Sequence, residues 1–168
     1  MVSVFGFGQD KYKASIFNRK HEIKIGAIKL LAGPILEGTY EYIYSKDFTF
    51  GSSILLSLDG TDYYNEEFSV TPFARFYFQE TKEYGAQGFF VEGFAKYFSG
   101  KYIPYGEGFG DTPREFSSAA LGIALGKKWT NSSGFVFETS VGVGRTLGGA
   151  DNKPDAVFRG DLSIGYRF

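Results

Sequence analysis

The chain has 168 residues, a formal net charge of −1 and no cysteine. Its length fits one domain, the absence of a basic cluster argues against nucleic acid as a partner, and the lack of cysteine excludes disulfides and thiol chemistry. Phenylalanine (19), tyrosine (12) and glycine (23) are abundant; because aromatic residues favour strands and glycine favours turns and close contacts, this composition predicts an all-β fold.

The chain begins with MVSVFGFGQDKYK, where a short apolar run ends in small residues. Small residues at Gly6 and Gly8 suit signal-peptidase cleavage before Gln9, although the run is shorter than a complete signal and lacks its basic residues. We therefore predict that residues 1–8 are a signal-peptide remnant, with a frayed N-terminal strand as the alternative. Residues 9–21 are then an N-terminal periplasmic tail, and residues 22–168 form the folded domain.

Alternation of apolar and polar residues, bounded by turn residues, predicts eight strands of about ten residues each. They cover residues 22–31, 35–45, 48–58, 68–78, 88–98, 116–129, 134–145 and 157–168. A strand that crosses a bilayer at a tilt needs ~9–11 residues, whereas a transmembrane helix needs ~20 apolar ones, which no stretch approaches. The lengths therefore fit an eight-stranded antiparallel up-and-down barrel that spans a membrane with strands.

The links between the predicted strands differ in length. They are short after strands two and six, intermediate after strand four, and longer after strands three, five and seven. Outer-membrane barrels place short turns in the periplasm and longer loops outside the cell, so this pattern puts both termini in the periplasm. The first link, Ala32-Gly33-Pro34, is an exception because it should be external and yet is tiny.

The contents of the two strand faces favour lipid as the outer solvent. In the terminal DLSIGYRF, for example, Leu162, Ile164, Tyr166 and Phe168 share one face. An eight-stranded interior has little room, so the bulky apolar faces should point outward and the faces rich in glycine, serine and charge should point inward. Buried charges need partners, and we predict a lumen plugged by ion pairs. The predicted network consists of Glu37, Glu41, Arg75, Glu92, Lys96, Glu138, Arg159, Asp161 and Arg167.

Two residues conflict with this pattern. Pro72 lies inside strand four, where it cannot donate a ladder hydrogen bond, and a β-bulge near the membrane boundary would absorb it. Lys29 falls on the outward face of predicted strand one, from which it would extend to lipid head groups. Two other classes also stay open, namely a narrow channel and a soluble lipocalin-like barrel that binds a small ligand inside.

The sequence resembles the small eight-stranded outer-membrane barrels of the OmpA/OmpX type, and more closely the OmpA-like barrel proteins of Bacteroidetes. The resemblance covers residues 22–168. Its matching segments are EIKIGAIKLLAGPILEGTYEYIYSKDFTFGSSI, SVTPFARFYF, GFFVEGFAKYFSG, LGIALGKKW, SGFVFETSVGVGR and the terminal IGYRF. It implies export through a signal peptide, residence in the outer-membrane lipid, and insertion by an assembly machinery that reads a C-terminal strand ending in an aromatic residue. Ile164, Tyr166 and Phe168 match that assembly signal; the tiny first link departs from the family and weighs against a surface-adhesion role.

Catalytic arrangements are scarce in this sequence. His21, the single histidine, precedes strand one and is the one candidate base, and the lumen carboxylates are better explained as structural ion pairs than as acid–base pairs. The glycine motifs GVGRTLGG and GEGFG precede no helix of a βαβ unit and hence hold no phosphate. The acidic link DGTDYYNEE, a calcium candidate, is more simply a solvated loop. We predict no enzyme activity, no cofactor and no metal.

One exposed loop, SGKYIPYGEGFGDTPRE at residues 99–115, is rich in aromatic residues. Exposed aromatic loops are common binding elements, so Tyr102, Ile103, Tyr105 and Phe109 form a candidate partner-binding loop; packing over the barrel mouth is the alternative. The sequence as a whole predicts a structural outer-membrane protein or an accessory subunit of an outer-membrane assembly, with other outer-membrane proteins as possible partners.

Overall fold

The computed structural model describes residues 18–32, 35–58, 66–78, 84–102, 114–148 and 155–168. Its elements are β1 (His21–Gly26), α1 (Ala27–Ala32), β2 (Ile35–Ile43), β3 (Phe48–Ser57), β4 (Glu66–Phe78), β5 (Gly88–Tyr102), β6 (Arg114–Thr130), β7 (Phe135–Leu147) and β8 (Ala156–Arg167). Each strand pairs antiparallel with the next, and β8 pairs with β1, which closes the barrel. The predicted all-β, eight-stranded antiparallel barrel is confirmed.

The barrel has two different ends. At the turn end lie the β2–β3, β4–β5 and β6–β7 connections together with both ends of the described chain. There, the backbone N–H of His21 donates to the carbonyl of Phe168 over 3.1 Å, and the N–H of Phe168 donates to the carbonyl of His21 over 2.8 Å. The opposite end, the loop end, carries the other four connections. His21, assigned from the sequence to the N-terminal tail, is therefore the first residue of β1.

The predicted strand faces are confirmed. Apolar side chains that point outward are exposed, for example Ile123 (65%) and Val141 (68%), whereas inward charged side chains such as Glu41 and Arg167 are fully buried (0%). The exposed outward set includes Ile23, Ile25, Leu36, Tyr40, Phe50, Ile54, Leu56, Phe76, Phe78, Phe89, Leu121, Leu125, Trp129, Phe135, Phe137, Val143, Phe158, Ile164, Tyr166 and Phe168. These side chains form a continuous apolar belt around the barrel.

The first strand is shorter than its predicted range, 22–31. β1 ends at Gly26, and the following AIKLLA forms α1. Alternation fails in this segment because Leu30 and Leu31 are adjacent, and alanine, leucine and lysine are strong helix formers. The prediction that Lys29 points to lipid head groups is wrong, since its amine contacts the inward-facing Glu37. The first connection is not tiny either: residues 27–34 join β1 to β2.

The register shift of β4 lies away from Pro72. Pro72 pairs with Ser52 of β3. On the β5 side, Val70 and Phe73 pair in one register, so the ladder passes the proline without a shift, and the register changes between Glu66 and Phe68 instead. The proline is accommodated because, near it, pairs with β5 are missing only at Thr71 and Pro72, while the pairing with β3 on the other side is continuous.

Large aromatic side chains also fill the lumen, which the sequence did not predict. Phe73, Phe90 and Phe94 are nearly fully buried and point inward. The residues paired directly with Phe90 and Phe94 on β6 are Gly126 and Gly122, and a Cβ at either glycine would lie 2.3 Å from the ring's Cζ atom. Each ring therefore lies flat over the glycine of the neighbouring strand, an arrangement that lets a narrow barrel hold large side chains.

Candidate functional site

The lumen is crossed by charged side chains that are buried and paired. All nine residues of the predicted network point inward, and the structure adds Glu22, Lys24, Lys29, Glu66 and Lys128. Among these residues, acidic and basic side chains are equal in number. A group of buried charges is tolerable only when each one finds an opposite charge or a hydrogen bond, and the equal numbers meet the first condition for the set as a whole.

Glu41 lies at the centre of the network. Its Oε2 accepts hydrogen bonds from Lys24 at 2.5 Å and from Arg75 at 2.7 Å. Its Oε1 accepts from Lys128 at 2.7 Å and from the hydroxyl of Tyr77 at 2.9 Å. Both carboxylate oxygens are thus saturated by donors from β1, β4 and β6. A carboxylate held in this way has no open lone pair with which to accept a proton from a substrate.

A second carboxylate, Glu138 of β7, connects the opposite wall. It accepts from Lys24 at 2.7 Å and from Arg75 at 2.8 Å. Arg75 also donates through Nε to Glu92, its cross-strand partner on β5, at 2.6 Å. Because β4 and β7 are not adjacent in the sheet, the contact between Arg75 and Glu138 runs across the lumen and cross-links two walls.

The turn end is closed by Arg167, the last residue of β8. Its guanidinium contacts Glu22 at 2.6 Å. It also donates to the backbone carbonyls of Tyr84, Gly85 and Ala86 at 2.8, 3.1 and 3.2 Å. Ala86 is 1% exposed and has a positive φ of 45°. The end of the β4–β5 connection is therefore drawn into the barrel mouth and held there by the C-terminal strand.

The loop-end half of the lumen holds a looser group of charges. Arg159 of β8 donates to Ser53 at 3.0 Å and forms ion pairs with Glu92 at 2.9 Å and Glu37 at 3.6 Å. The Oε1 atom of Glu92 accepts no hydrogen bond, so its contact with Arg159 is electrostatic with poor alignment. Lys96 pairs with Glu66 at 2.7 Å, which gives one carboxylate of the acidic link a partner inside the barrel.

Asp161 differs from the rest of the predicted network. It is the inward-facing carboxylate that forms no ion pair with any residue that the structure describes, and its buried Oδ1 accepts no hydrogen bond. Its carboxylate lies over Gly26, where an added Cβ would be 3.0 Å from Oδ1. The structure therefore brings eight of the nine predicted residues into ion pairs and leaves Asp161 without one among the described residues.

The sequence contained a signal for the inward charged residues that the predicted network omitted. Glu22 and Lys24 alternate with Ile23 and Ile25 in β1, so the same two-residue period that identified the other strands placed them inward. Lys128 lies on the inward face of β6 together with Ala124, as alternation requires. Its partners, Glu22 and Glu41, lie on β1 and β2, and contacts across the lumen between distant strands are not visible in local alternation.

The other candidate residues lie apart from the lumen. His21 faces outward, with Nδ1 2.7 Å from the hydroxyl of Tyr40 and its ring stacked on Phe168, which is a structural environment at the turn-end rim. The exposed Ile164, Tyr166 and Phe168 line the outer surface of β8. Of the candidate loop, Ile103, Tyr105, Phe109 and the side chain of Tyr102 lie outside the described residues.

The described part of the chain offers no other site chemistry. It contains no cluster of three or more histidine, cysteine or acidic residues arranged to hold a metal ion. No helix within the same ranges is long and apolar enough to cross a membrane. What remains is a barrel with an apolar exterior and a lumen filled by ion pairs and aromatic rings.

Comparison with known proteins supports the fold. The N-terminal β-barrel domain of OprF from Pseudomonas aeruginosa is similar with a TM-score of 0.56 at 14% identity, over 89% of this chain and 98% of that domain. The outer membrane protein Ail from Yersinia pestis, determined in a phospholipid nanodisc, gives a TM-score of 0.48 at 21% identity, over 90% of this chain and all of Ail (100%). No protein-family model and no curated protein matches the chain. The chain thus has the fold of an eight-stranded β-barrel like that of the OprF domain.

Proposed function

We propose that the protein is an outer-membrane β-barrel of the OmpA/OmpX type with a plugged polar lumen, serving as a structural or accessory subunit of an outer-membrane assembly. The observation that carries this proposal is the contrast between the two faces: outward apolar side chains such as Phe158 are 77% exposed, while inward charges are buried and paired. This distribution is expected only where the outer solvent is hydrocarbon. Pairing of β8 with β1 from Ser163 to Arg167 supports it, because it removes the sheet edge along that part of the wall and an open edge is costly in lipid.

The proposed orientation puts the turn end and both termini in the periplasm. Two of the three turn-end connections are short, with four residues in 44–47 and four in 131–134. The corrected first connection, residues 27–34, now matches the longer external connections, so the objection to an OmpA-type loop pattern no longer stands. Export through a signal peptide that ends near residue 8 remains a prediction, and a Bacteroidetes source rests on the resemblance of the quoted segments.

The proposed partners follow from the surfaces. The apolar belt contacts outer-membrane lipid, and Ile164, Tyr166 and Phe168 present the C-terminal strand to the assembly machinery. The loop with Tyr102, Ile103, Tyr105 and Phe109 is the proposed contact with another outer-membrane protein. The proposal includes no catalysis and no cofactor, because Glu37, Glu41, Glu92 and Glu138 are all held in ion pairs.

Fractionation combined with a folding assay tests this proposal. The chain is expressed behind a signal peptide in a Gram-negative host, and the membranes are extracted with detergent. We expect the protein in the outer-membrane fraction, with an electrophoretic band that shifts after boiling because the barrel resists unfolding in the unheated sample. A soluble protein without a heat-dependent shift would instead favour the lipocalin-like class.

A further inference from the structure

The barrel wall is incomplete beside β1 at the loop end. β1 pairs with β2 only from Gly38 to Tyr42, and with β8 only from Ser163 to Arg167. Within the described ranges, residues 35–37 of β2 and 156–162 of β8 therefore have no strand between them, although each still pairs on its other side. Elsewhere the ladder is nearly continuous. The wall thus has a gap where an eight-stranded barrel would carry the second half of its first strand.

Helix α1 covers this gap. Its Ile28, Leu30 and Leu31 side chains are 51%, 49% and 87% exposed, whereas Lys29 turns inward and contacts Glu37 on the edge of the gap. A six-residue helix hydrogen-bonds within itself and adds no ladder to either neighbouring strand. The cover is therefore held by side-chain packing and one ion pair, which is a weaker attachment than the strand pairing found elsewhere in the wall.

The gap lies at the level of the apolar belt. Phe158 of β8, which is 77% exposed, pairs with the exposed Val143 of β7, and on the other border Leu36 of β2 is also exposed. The outer surface of α1 continues the same belt. If the cover moves, the opening therefore faces hydrocarbon and not the aqueous phase at the barrel mouth.

Behind the gap is the one unpaired carboxylate of the described lumen. Asp161 reaches across to Gly26, the residue at which β1 gives way to α1, and its buried Oδ1 has no partner. A side chain at position 26 would occupy the space that the carboxylate now uses. Glu37, on the opposite border, adds a second negative charge that is already shared by Lys29 and Arg159. When α1 moves, Lys29 leaves with it, and two carboxylates then face only Arg159 among the described residues. The opened site therefore favours a cation over an anion.

We propose that the gap between β2 and β8 is a lateral port, with α1 as its lid, through which the cationic head group of a single-chain membrane amphiphile reaches Asp161. The hydrocarbon chain of the ligand stays in the belt beside α1 and Phe158, and the head group makes a charge-assisted contact with the free carboxylate oxygen. This inference rests on the proposed function, because a lateral port has a purpose only in a barrel surrounded by lipid.

Nuclear magnetic resonance of the full chain in dodecyl maltoside micelles tests the port, with dodecyltrimethylammonium as the probe. We expect saturable shifts of the amides of Gly26, Asp161 and α1. The variant Asp161→Asn should weaken binding by about tenfold or more, because a charge-assisted contact is lost. The matched control is Asp155→Asn, which removes an exposed carboxylate at the loop end and should leave binding unchanged. Equal binding by wild type and Asp161→Asn would overturn the proposal.

The direction of access is tested separately. A trimethylammonium amphiphile with a nitroxide on its chain should broaden the amides of α1 and of Phe158, and spare those of β4 and β5 on the far wall. Tetramethylammonium, which has the head group alone, should bind much more weakly. Broadening all around the belt, or equal binding of tetramethylammonium, would exclude a lateral port. The heat-dependent gel mobility of each variant is measured in parallel. If the barrel is folded but the ligand does not bind at the port, the port is excluded and the proposed function still stands.

Discussion

Glu22 and Glu41 lie directly opposite each other on β1 and β2, and both carboxylates are fully buried. Like charges in such a cross-strand pair repel each other. The amine of Lys128, which extends from β6 on another part of the wall, lies 2.7 Å from one oxygen of each carboxylate. The first strand pair of the barrel is thus stabilised by a cation that comes from across the lumen.

Replacing this cation should destabilise the whole barrel. Lys128→Met leaves two buried carboxylates facing each other, and breaking a buried ion pair from one side costs about 3–5 kcal/mol. Urea unfolding in lipid vesicles, followed by the heat-dependent band shift, measures the free energy of unfolding. The adjacent Lys127 faces outward over the rings of Phe89 and Trp129, and Lys127→Met should change stability by only about 0.5 kcal/mol. Equal losses in the two variants would contradict the inward network.

The glycines under the lumen rings should resist substitution. In Gly126→Ala the new methyl group would lie 2.3 Å from Cζ of Phe90 and 2.5 Å from the carbonyl oxygen of Thr139. Overpacking of this kind costs about 1–3 kcal/mol, which the same urea titration detects. The control is Gly93→Ala on the outer face, where no atom lies within 4 Å of the added Cβ. If both variants are as stable as the wild type, the rings are not held as described.

The plugged lumen should not conduct ions. Glu41 and Glu138 are bridged by Lys24 and Arg75 across the interior, and Arg167 holds residues 84–86 in the turn-end mouth. We expect purified protein in planar bilayers to show no stable conductance steps under conditions in which a water-filled porin does. Reproducible steps from the folded barrel would instead support the narrow-channel class.

The terminal aromatic residue should matter for assembly more than for the folded state. Phe168 is 50% exposed, so Phe168→Ser removes little packing, but it removes the proposed signal for the assembly machinery. We expect less protein in the outer membrane of cells, and unchanged folding of the purified chain into detergent. Phe158→Ser, at another exposed outward position (77%), is the matched control and should assemble normally. Equal defects in cells would show that the assembly signal is not specific to the end of the chain.

The sequence predicts the barrel better than it predicts the contents of the lumen. Alternation around residues such as Glu41 and Arg75 assigned each strand face correctly, because the period of two is imposed by the backbone itself. It failed at Lys29, where good helix formers replace a strand. Alternation puts Phe90 and Phe94 on the same face as Glu92, but it could not show that the lumen has room for these rings. That room is provided by Gly126 and Gly122 on the neighbouring strand and depends on register.

Quenching of Trp129 tests the central claim, that the apolar face contacts lipid, most directly. Trp129 is the single tryptophan of the chain, and it lies 43% exposed on the outer face near the turn end. In vesicles we predict strong quenching by lipids with bromine high on the acyl chain, weaker quenching by deeper bromine, and little by aqueous acrylamide, because tryptophan of a barrel belt lies at the membrane interface. No effect of brominated lipid together with full quenching by acrylamide would mean that the outer face meets water, and the proposed membrane barrel would be wrong.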